Sequence, residues 1–206
     1  MSCPHKFQQY LSLERLDFEP TTLMVGTFNP AWPDGNQAEW FYGRTSKNYF
    51  WDVLPRLYGK STLINSTHTE WKEFCNQNQI AITDLISCIN DAEAGNPDHI
   101  RWLSNFSDKN IATKFNDHAF VAIDAILEQH PTIRNVYFTR GLSEGFWKKQ
   151  WFPVQAYCAA NNIRCTTLVT PSGYAYYQQG RWNKKNPNNK LELGDYILMR
   201  WQQVWH

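Results

Sequence analysis

Residues 21–58 read TTLMVGTFNPAWPDGNQAEWFYGRTSKNYFWDVLPRLY, and their pattern decides the fold. The apolar run Leu23-Met24-Val25 stops at Gly26, which predicts a buried strand over 21–28 ending in a tight turn. Thr27-Phe28-Asn29-Pro30 then sets polar side chains at the strand's carboxyl end, where open α/β sheets hold their ligands. Residues 29–47 carry Pro30, Pro33, Gly35 and Gly43. They form a loop too long to be idle in a compact domain. Beyond it, Tyr49, Val53 and Leu57 share one helical face, as do Phe50 and Leu54, predicting a helix over 48–58 that Pro55 bends or shortens. Asn29, Asn48, Arg44, Lys47 and several aromatic rings thus converge on one region, a mixture that a packed core hardly needs.

Working outward, residues 4–13 read as a short helix, and 69–78 as another with Thr69 as its N-cap. The β-branched run Ile80-Ala81-Ile82-Thr83-Asp84-Leu85-Ile86 is a second strand, with Asp84 near its end. Residues 91–110 are polar and turn-rich, and 116–130 form an amphipathic helix. A third strand covers 135–139, a helix most of 141–161, and a fourth strand 165–169. That strand runs into Thr170-Pro171-Ser172-Gly173-Tyr174. Residues 180–190 (GRWNKKNPNNK) read as a loop with four basic residues and no acid, and 193–205 as a closing helix. Alternating strands and helices make a three-layer α/β/α sandwich around a central, mainly parallel four-stranded sheet. Neither an internal repeat nor an interdomain linker interrupts the chain, so residues 1–206 read as a single domain. Gly26–Pro30, Asp84 and Thr170–Tyr174 all fall at strand carboxyl ends, which argues for one composite site.

Composition narrows the classes. The chain has 206 residues, 42% of them hydrophobic, enough for a sizeable core. No apolar run approaches the ~18 residues of a membrane span. The N-terminus lacks the apolar segment of a secretory signal. Five cysteines, odd in number and without a CxxC pair, argue against disulfide frameworks and structural zinc and for a reducing cytoplasm. No Walker loop or GxGxxG turn appears and the histidines lack metal-ligand spacing, so neither cofactor nor metal is expected and the histidines read as structural or exposed. Net charge is +1, which leaves any nucleic-acid affinity to local patches. Aromatic residues are the outlier at 16%, with ten Trp. Most should pack in the core, while rings beside polar residues, such as Trp32, Trp40 and Trp182, would suit base stacking.

These pieces, taken in order, resemble the uracil-DNA glycosylase superfamily. Gly26-Thr27-Phe28-Asn29-Pro30 is similar to its first motif, one residue longer than the usual glycine-x-Asn-proline form. Thr170-Pro171-Ser172-Gly173-Tyr174 matches its second motif, with Thr170 where the most active uracil enzymes have His. The segments Phe41-Tyr42-Gly43-Arg44 and Asn48-Tyr49-Phe50-Trp51 look like those of the mismatch-specific uracil and hypoxanthine-DNA glycosylase branches. Asp84 to Cys88 is similar to a stretch of the hypoxanthine-DNA glycosylase branch. The resemblance covers about residues 22–175.

It implies an enzyme that flips a deaminated base, uracil or hypoxanthine, out of DNA and hydrolyses its N-glycosidic bond. The implied catalytic amides are Asn29 and Asn48, either of which would position water. Plainer readings stand beside them, Asn29 as a turn residue and Asn48 as a helix cap. Phe28, Phe41 or Tyr42 would stack on the base, and Asp84 would accept a hydrogen bond from it. Ser172 and Gly173 would grip phosphate, and Tyr174 would wedge into the vacated stack. Arg44, Lys47, Arg140, Arg181, Lys184 and Lys185 are candidates for the DNA backbone. DNA is the expected partner and a monomer the expected state. Two rivals remain, a non-catalytic nucleic-acid-binding protein on this scaffold and a hydrolase or transferase acting on small nucleosides.

Overall fold

A short strand, β1 (Cys3–Pro4), and a 3-10 turn over Gln8–Tyr10 precede the first strand of the main sheet, β2 (Thr22–Gly26). The computed structural model describes residues 2–35, 37–43 and 47–206. Helices α1 (Phe50–Leu57) and α2 (His68–Gln77) lead to β3 (Ile80–Asp84) and directly on to β4 (Ile86–Ile89). Then come α3 (Pro97–Ser104), α4 (Asp108–Lys114), β5 (His118–Phe120), α5 (Ile123–Gln129) and β6 (Asn135–Phe138). The chain closes through α6 (Gly145–Ala160), β7 (Arg164–Thr167), α7 (Tyr176–Lys185) and α8 (Leu193–Gln202).

The central sheet has the order β3-β2-β6-β7 with every pairing parallel, as the alternation requires. Side chains alternate across it. Leu23 and Val25 enter one core with Val136, Phe138 and residues of α3 to α6. Met24 enters the other with Ile82, Tyr137 and residues of α1, α2 and α8. Burial on both faces explains why β2 is continuously apolar rather than alternating. The aromatic excess mostly feeds these cores: Trp51, Trp147, Trp151 and Trp201 are all at most 2% exposed. Trp40 is buried too, Trp32 donates to the Ser2 carbonyl, and Trp182 leans on Tyr196, so the three rings proposed for base stacking are structural.

Several elements differ from expectation. The predicted helix over 4–13 is instead β1 and a single 3-10 turn. The chain there is claimed by neighbours: β1 pairs antiparallel with β4, in a second sheet of order β1-β4-β5, and His5 bridges Pro30. Helix α2 starts two residues early. Thr67, not Thr69, is the N-cap, because only Thr67 has Glu70 three residues on to complete a capping box. The turn-rich stretch 91–110 contains α3, entered through Asn96 and Pro97, and the start of α4, capped by Ser107. The helix predicted over 116–130 divides into β5 and α5. Most of the supposed basic loop 180–190 belongs to α7. Pro55 does not break α1: the Trp51 carbonyl that it cannot engage accepts the Leu63 N–H instead, at 2.8 Å.

Candidate active site

The register of the main sheet sets Gly26 beside Asp84, one step beyond the pairing of Val25 with Phe138. Gly26, Asp84 and Thr139 therefore lie level at the carboxyl ends of three neighbouring strands. Above them opens a cleft of about 1130 Å³, just above the ~300–1,000 Å³ range of ligand sites. Its walls include Thr27, Phe28, Asn29, Tyr42, Lys47, Asn48, Asp84, Ser172, Gly173 and Tyr174. Most of the sequence-derived site is thus brought together in one place.

Asn29 is 7% exposed, and its Nδ2 donates to Asp84 Oδ2 at 2.9 Å. The amide's other end, Oδ1, is buried with no partner among the described residues. Burying an acceptor unpaired costs roughly 1–3 kcal/mol, so this atom calls for a donor from the cleft. Asn48 is built the opposite way. Its Oδ1 accepts the Phe50 N–H at 3.0 Å, the turn that starts α1, and its NH2 has no partner among the described residues. The two amides, alternatives in the sequence, are chemically complementary in the structure.

Asn48 is fixed by the second motif. It forms an isolated antiparallel bridge with Ser172, flanked by hydrogen bonds from Tyr49 N to the Pro171 carbonyl (2.6 Å) and from Gly173 N to the Lys47 carbonyl (3.1 Å). This is the closely spaced type of pair, which sets the side chains of Asn48 and Ser172 next to each other. The Gly173 N–H expected to grip phosphate is therefore already engaged. Ser172 Oγ contacts Thr170 Oγ1 at 3.0 Å and accepts the Tyr174 N–H.

Asp84 was expected to meet a base. Its Oδ2 instead receives two protein donors, Asn29 and His5, the latter at 2.7 Å. Its Oδ1 lies against Gly26: a Cβ there would come within 2.1 Å of it and within 2.5 Å of the Tyr42 hydroxyl. Only glycine leaves room for both. Tyr42 itself adopts a left-handed backbone (φ 57°), stacks on Phe50 at 3.8 Å and contacts Thr139 Oγ1 at 2.8 Å through its hydroxyl. Burial and the Asp84 charge push its phenol well above the ordinary value. Lys47, also left-handed (φ 58°), is exposed at the rim. Non-glycine residues in this conformation cost about 1–3 kcal/mol, and such strain concentrates at functional sites.

Phe41 is a correction. It is fully buried against His5, Phe7 and Trp40 and does not reach the cleft, which leaves Phe28 and Tyr42 as the rings there. Arg140 is another: it pairs with Asp108 and Glu144 and lies over Trp147, so its charge serves the fold. Arg44 lies outside the described residues. Arg181, Lys184 and Lys185 are exposed on α7, outside the cleft. Helical spacing gives them one face with Tyr177, which is 81% exposed, and Tyr174 leads into that face at 66% exposed. No acidic residue occurs between Glu144 and Glu192, so the charges that α7 itself carries are all positive.

Sequence reasoning missed His5, Thr139, Asp108 and Tyr177. Thr139 ends a predicted strand and Tyr177 follows Tyr174 at helical spacing, so both carried a local signal. His5 and Asp108 carried none, since their partners lie 79 and 81 residues away. Among the described residues no cluster of three His, Cys, Asp or Glu could hold a metal, and no helix is long and apolar enough to cross a membrane.

No protein-family model matches the chain, and no curated protein does. Among solved structures it is similar to a protein of Methanosarcina acetivorans, determined by NMR in solution and described as a candidate uracil DNA glycosylase. The match covers 93% of this chain and 94% of that one, at 16% identity and a TM-score of 0.54. The fold is uracil-DNA-glycosylase-like. Within the glycosylase-like fold the cleft takes the expected place, at the carboxyl ends of the parallel strands.

Proposed function

We propose that the protein is a single-domain, monomeric DNA glycosylase that excises a deaminated base, uracil or hypoxanthine, by hydrolysis of its N-glycosidic bond. One observation carries the reading: Asn29, Asn48 and Ser172 line a single cleft on a glycosylase-like fold, with one amide offering an acceptor and the other a donor.

The reaction needs the nucleotide out of the stack, because C1′ is shielded in a duplex. As the C1′–N bond breaks, its electron pair leaves with the base and positive charge develops on the sugar. Asn29 Oδ1 accepts a hydrogen from water and aims the water oxygen at C1′. An amide is too weak a base to keep that proton, which passes to solvent or to the departing base. The NH2 of Asn48 donates to the negative charge growing on the base, a preorganised dipole where charge develops. Phe28 and the edge of Tyr42 flank the base. Ser172 and Lys47 meet the phosphates beside it, and Tyr174 fills the gap left in the stack. The Tyr177–Arg181–Lys184 face of α7 holds the strand further out.

The test is a panel of labelled oligonucleotides bearing uracil, hypoxanthine or xanthine, single-stranded and opposite each base, with alkaline cleavage of abasic products. At least one substrate is expected to be cut, and Asn29→Ala to slow cutting by about 10²–10³-fold. Salt-sensitive binding without product on any substrate would replace the reading with the non-catalytic one. Base release from free nucleosides without preference for DNA would replace it with a nucleoside hydrolase.

A further inference from the structure

His5 has no assigned task in the reaction just described, yet it is 2% exposed and enclosed by the rings of Phe7, Phe28 and Phe41, with centroids 5.6–5.9 Å away. Its two nitrogens are both committed. Nδ1 accepts the Phe7 N–H at 2.9 Å, so the ring proton resides on Nε2 and is donated to Asp84 Oδ2 at 2.7 Å. The same oxygen accepts Asn29 Nδ2 at 2.9 Å. A chain therefore runs from a backbone N–H through His5 and Asp84 to Asn29, ending at an amide oxygen that is buried without a partner among the described residues. Each link has a single polarity. Phe7 can only donate, which makes His5 a donor at its far side, which keeps Asp84 an acceptor, which turns the Asn29 NH2 inward and its oxygen away.

The segment carrying His5 is held for this. His5 N donates to the Ser87 carbonyl, Lys6 N to the Asn29 carbonyl and Ala31 N to the Pro4 carbonyl. The N-terminal strand is thus laced to the Asn29–Ala31 turn on one side and to the strand after Asp84 on the other. That lacing is the physical reason the expected N-terminal helix is absent.

We propose that His5 is a positioning residue, which through Asp84 keeps the Asn29 carbonyl turned toward the substrate. The proposal rests on the glycosylase reading for its consequence in rate, and on geometry alone for the orientation of Asn29.

Two variants separate the halves of the imidazole. In His5→Asn the amide oxygen can take the place of Nδ1 and still accept the Phe7 N–H, but nothing reaches Asp84. In His5→Gln the amide nitrogen can take the place of Nε2 and still donate to Asp84, while the Phe7 N–H goes unpaired. Each loses one buried hydrogen bond, so both should unfold at similar temperatures.

The relay predicts opposite catalytic outcomes. His5→Asn should lose about 10²-fold in single-turnover rate, the scale of a small misplacement of a reacting group, with its Kd for damaged DNA unchanged. His5→Gln should retain most of the rate. Equal losses in the two variants at equal stability would overturn the proposal. A second arm uses nitrogen-15 spectra of the free protein. It should show His5 protonated at Nε2, and an Asn29 side-chain NH2 protected from exchange in wild type and His5→Gln but not in His5→Asn. An Nδ1–H tautomer, or an Asn29 NH2 indifferent to both changes, would also overturn it. If the wild-type protein cuts no substrate, the glycosylase reading fails, and the spectra still decide the relay.

Discussion

Asn29 and Asn48 present opposite halves of the same functional group to one cleft. The NH2 of Asn29 is spent on Asp84 Oδ2 at 2.9 Å and the oxygen of Asn48 on the Phe50 N–H at 3.0 Å, and among the described residues neither the Asn29 oxygen nor the Asn48 NH2 has a partner. Their substitutions should therefore fail differently. Asn29→Ala removes the water acceptor and should lower the single-turnover rate by about 10²–10³-fold with little change in Kd, the effect of deleting one preorganised polar group. Asn48→Ala also removes the turn that starts α1, so it should lose rate and thermal stability together. Single-turnover kinetics beside calorimetry checks both, and an Asn29→Ala enzyme of normal rate would eliminate the mechanism.

Gly26 offers a sharper stability test. A methyl group there would enter the space of Asp84 Oδ1 (2.1 Å) and the Tyr42 hydroxyl (2.5 Å), neither of which lies at the end of a freely moving chain. Gly26→Ala should cost about 1–3 kcal/mol by overpacking. It should abolish excision even where the protein remains folded, because the displaced Asp84 releases Asn29. Urea unfolding and the cleavage assay read the two effects separately.

The α7 face should be visible in salt dependence. Each phosphate contact contributes ~0.9 to the slope of log K against log salt, so Arg181→Gln combined with Lys184→Gln should flatten it by about 1.8. Single-turnover rate at saturating DNA should stay at the wild-type level. Fluorescence anisotropy at several salt concentrations measures the slope, and an unchanged slope would remove α7 from the DNA path.

At high pH the partly buried tyrosines Tyr42 and Tyr58 should govern stability. Burial pushes the Tyr58 phenol up to about 12 and that of Tyr42 well above its ordinary value of 10.0. A group whose pKa is raised on folding binds more protons in the folded state, so its contribution is complete below the unfolded value. It is lost as pH climbs through the folded one. Stability should thus fall from about pH 10 upward. Tyr58→Phe should lessen that fall between pH 10 and 12. Thermal unfolding across this range, with ultraviolet titration of the phenols, is the check.

The strand–helix alternation, four strands read at 21–28, 80–86, 135–139 and 165–169, and the placing of Asn29, Asp84 and Ser172 near their ends were legible in the sequence; the structure trims these strands and divides the second at Leu85, giving its last residue to β4 of the other sheet. Short apolar runs that end at or near Gly26, Asp84 and Thr139 report local periodicity, and periodicity together with right-handed crossovers nearly dictates a parallel sheet. That in turn fixes which ends gather the polar residues. Only the tertiary structure decided what each of them faces. Phe41 and Tyr42 are neighbours in an aromatic run, yet one is sealed in the core and the other reaches the cleft, because the left-handed turn at Tyr42 swings it round. His5 meets Asp84 across 79 residues, a contact that exists only once the N-terminal segment has paired with β4 and the strand register has set Asp84 beside Gly26. Side-chain polarity at such a meeting depends on partners distant along the chain. A local pattern holds no record of them.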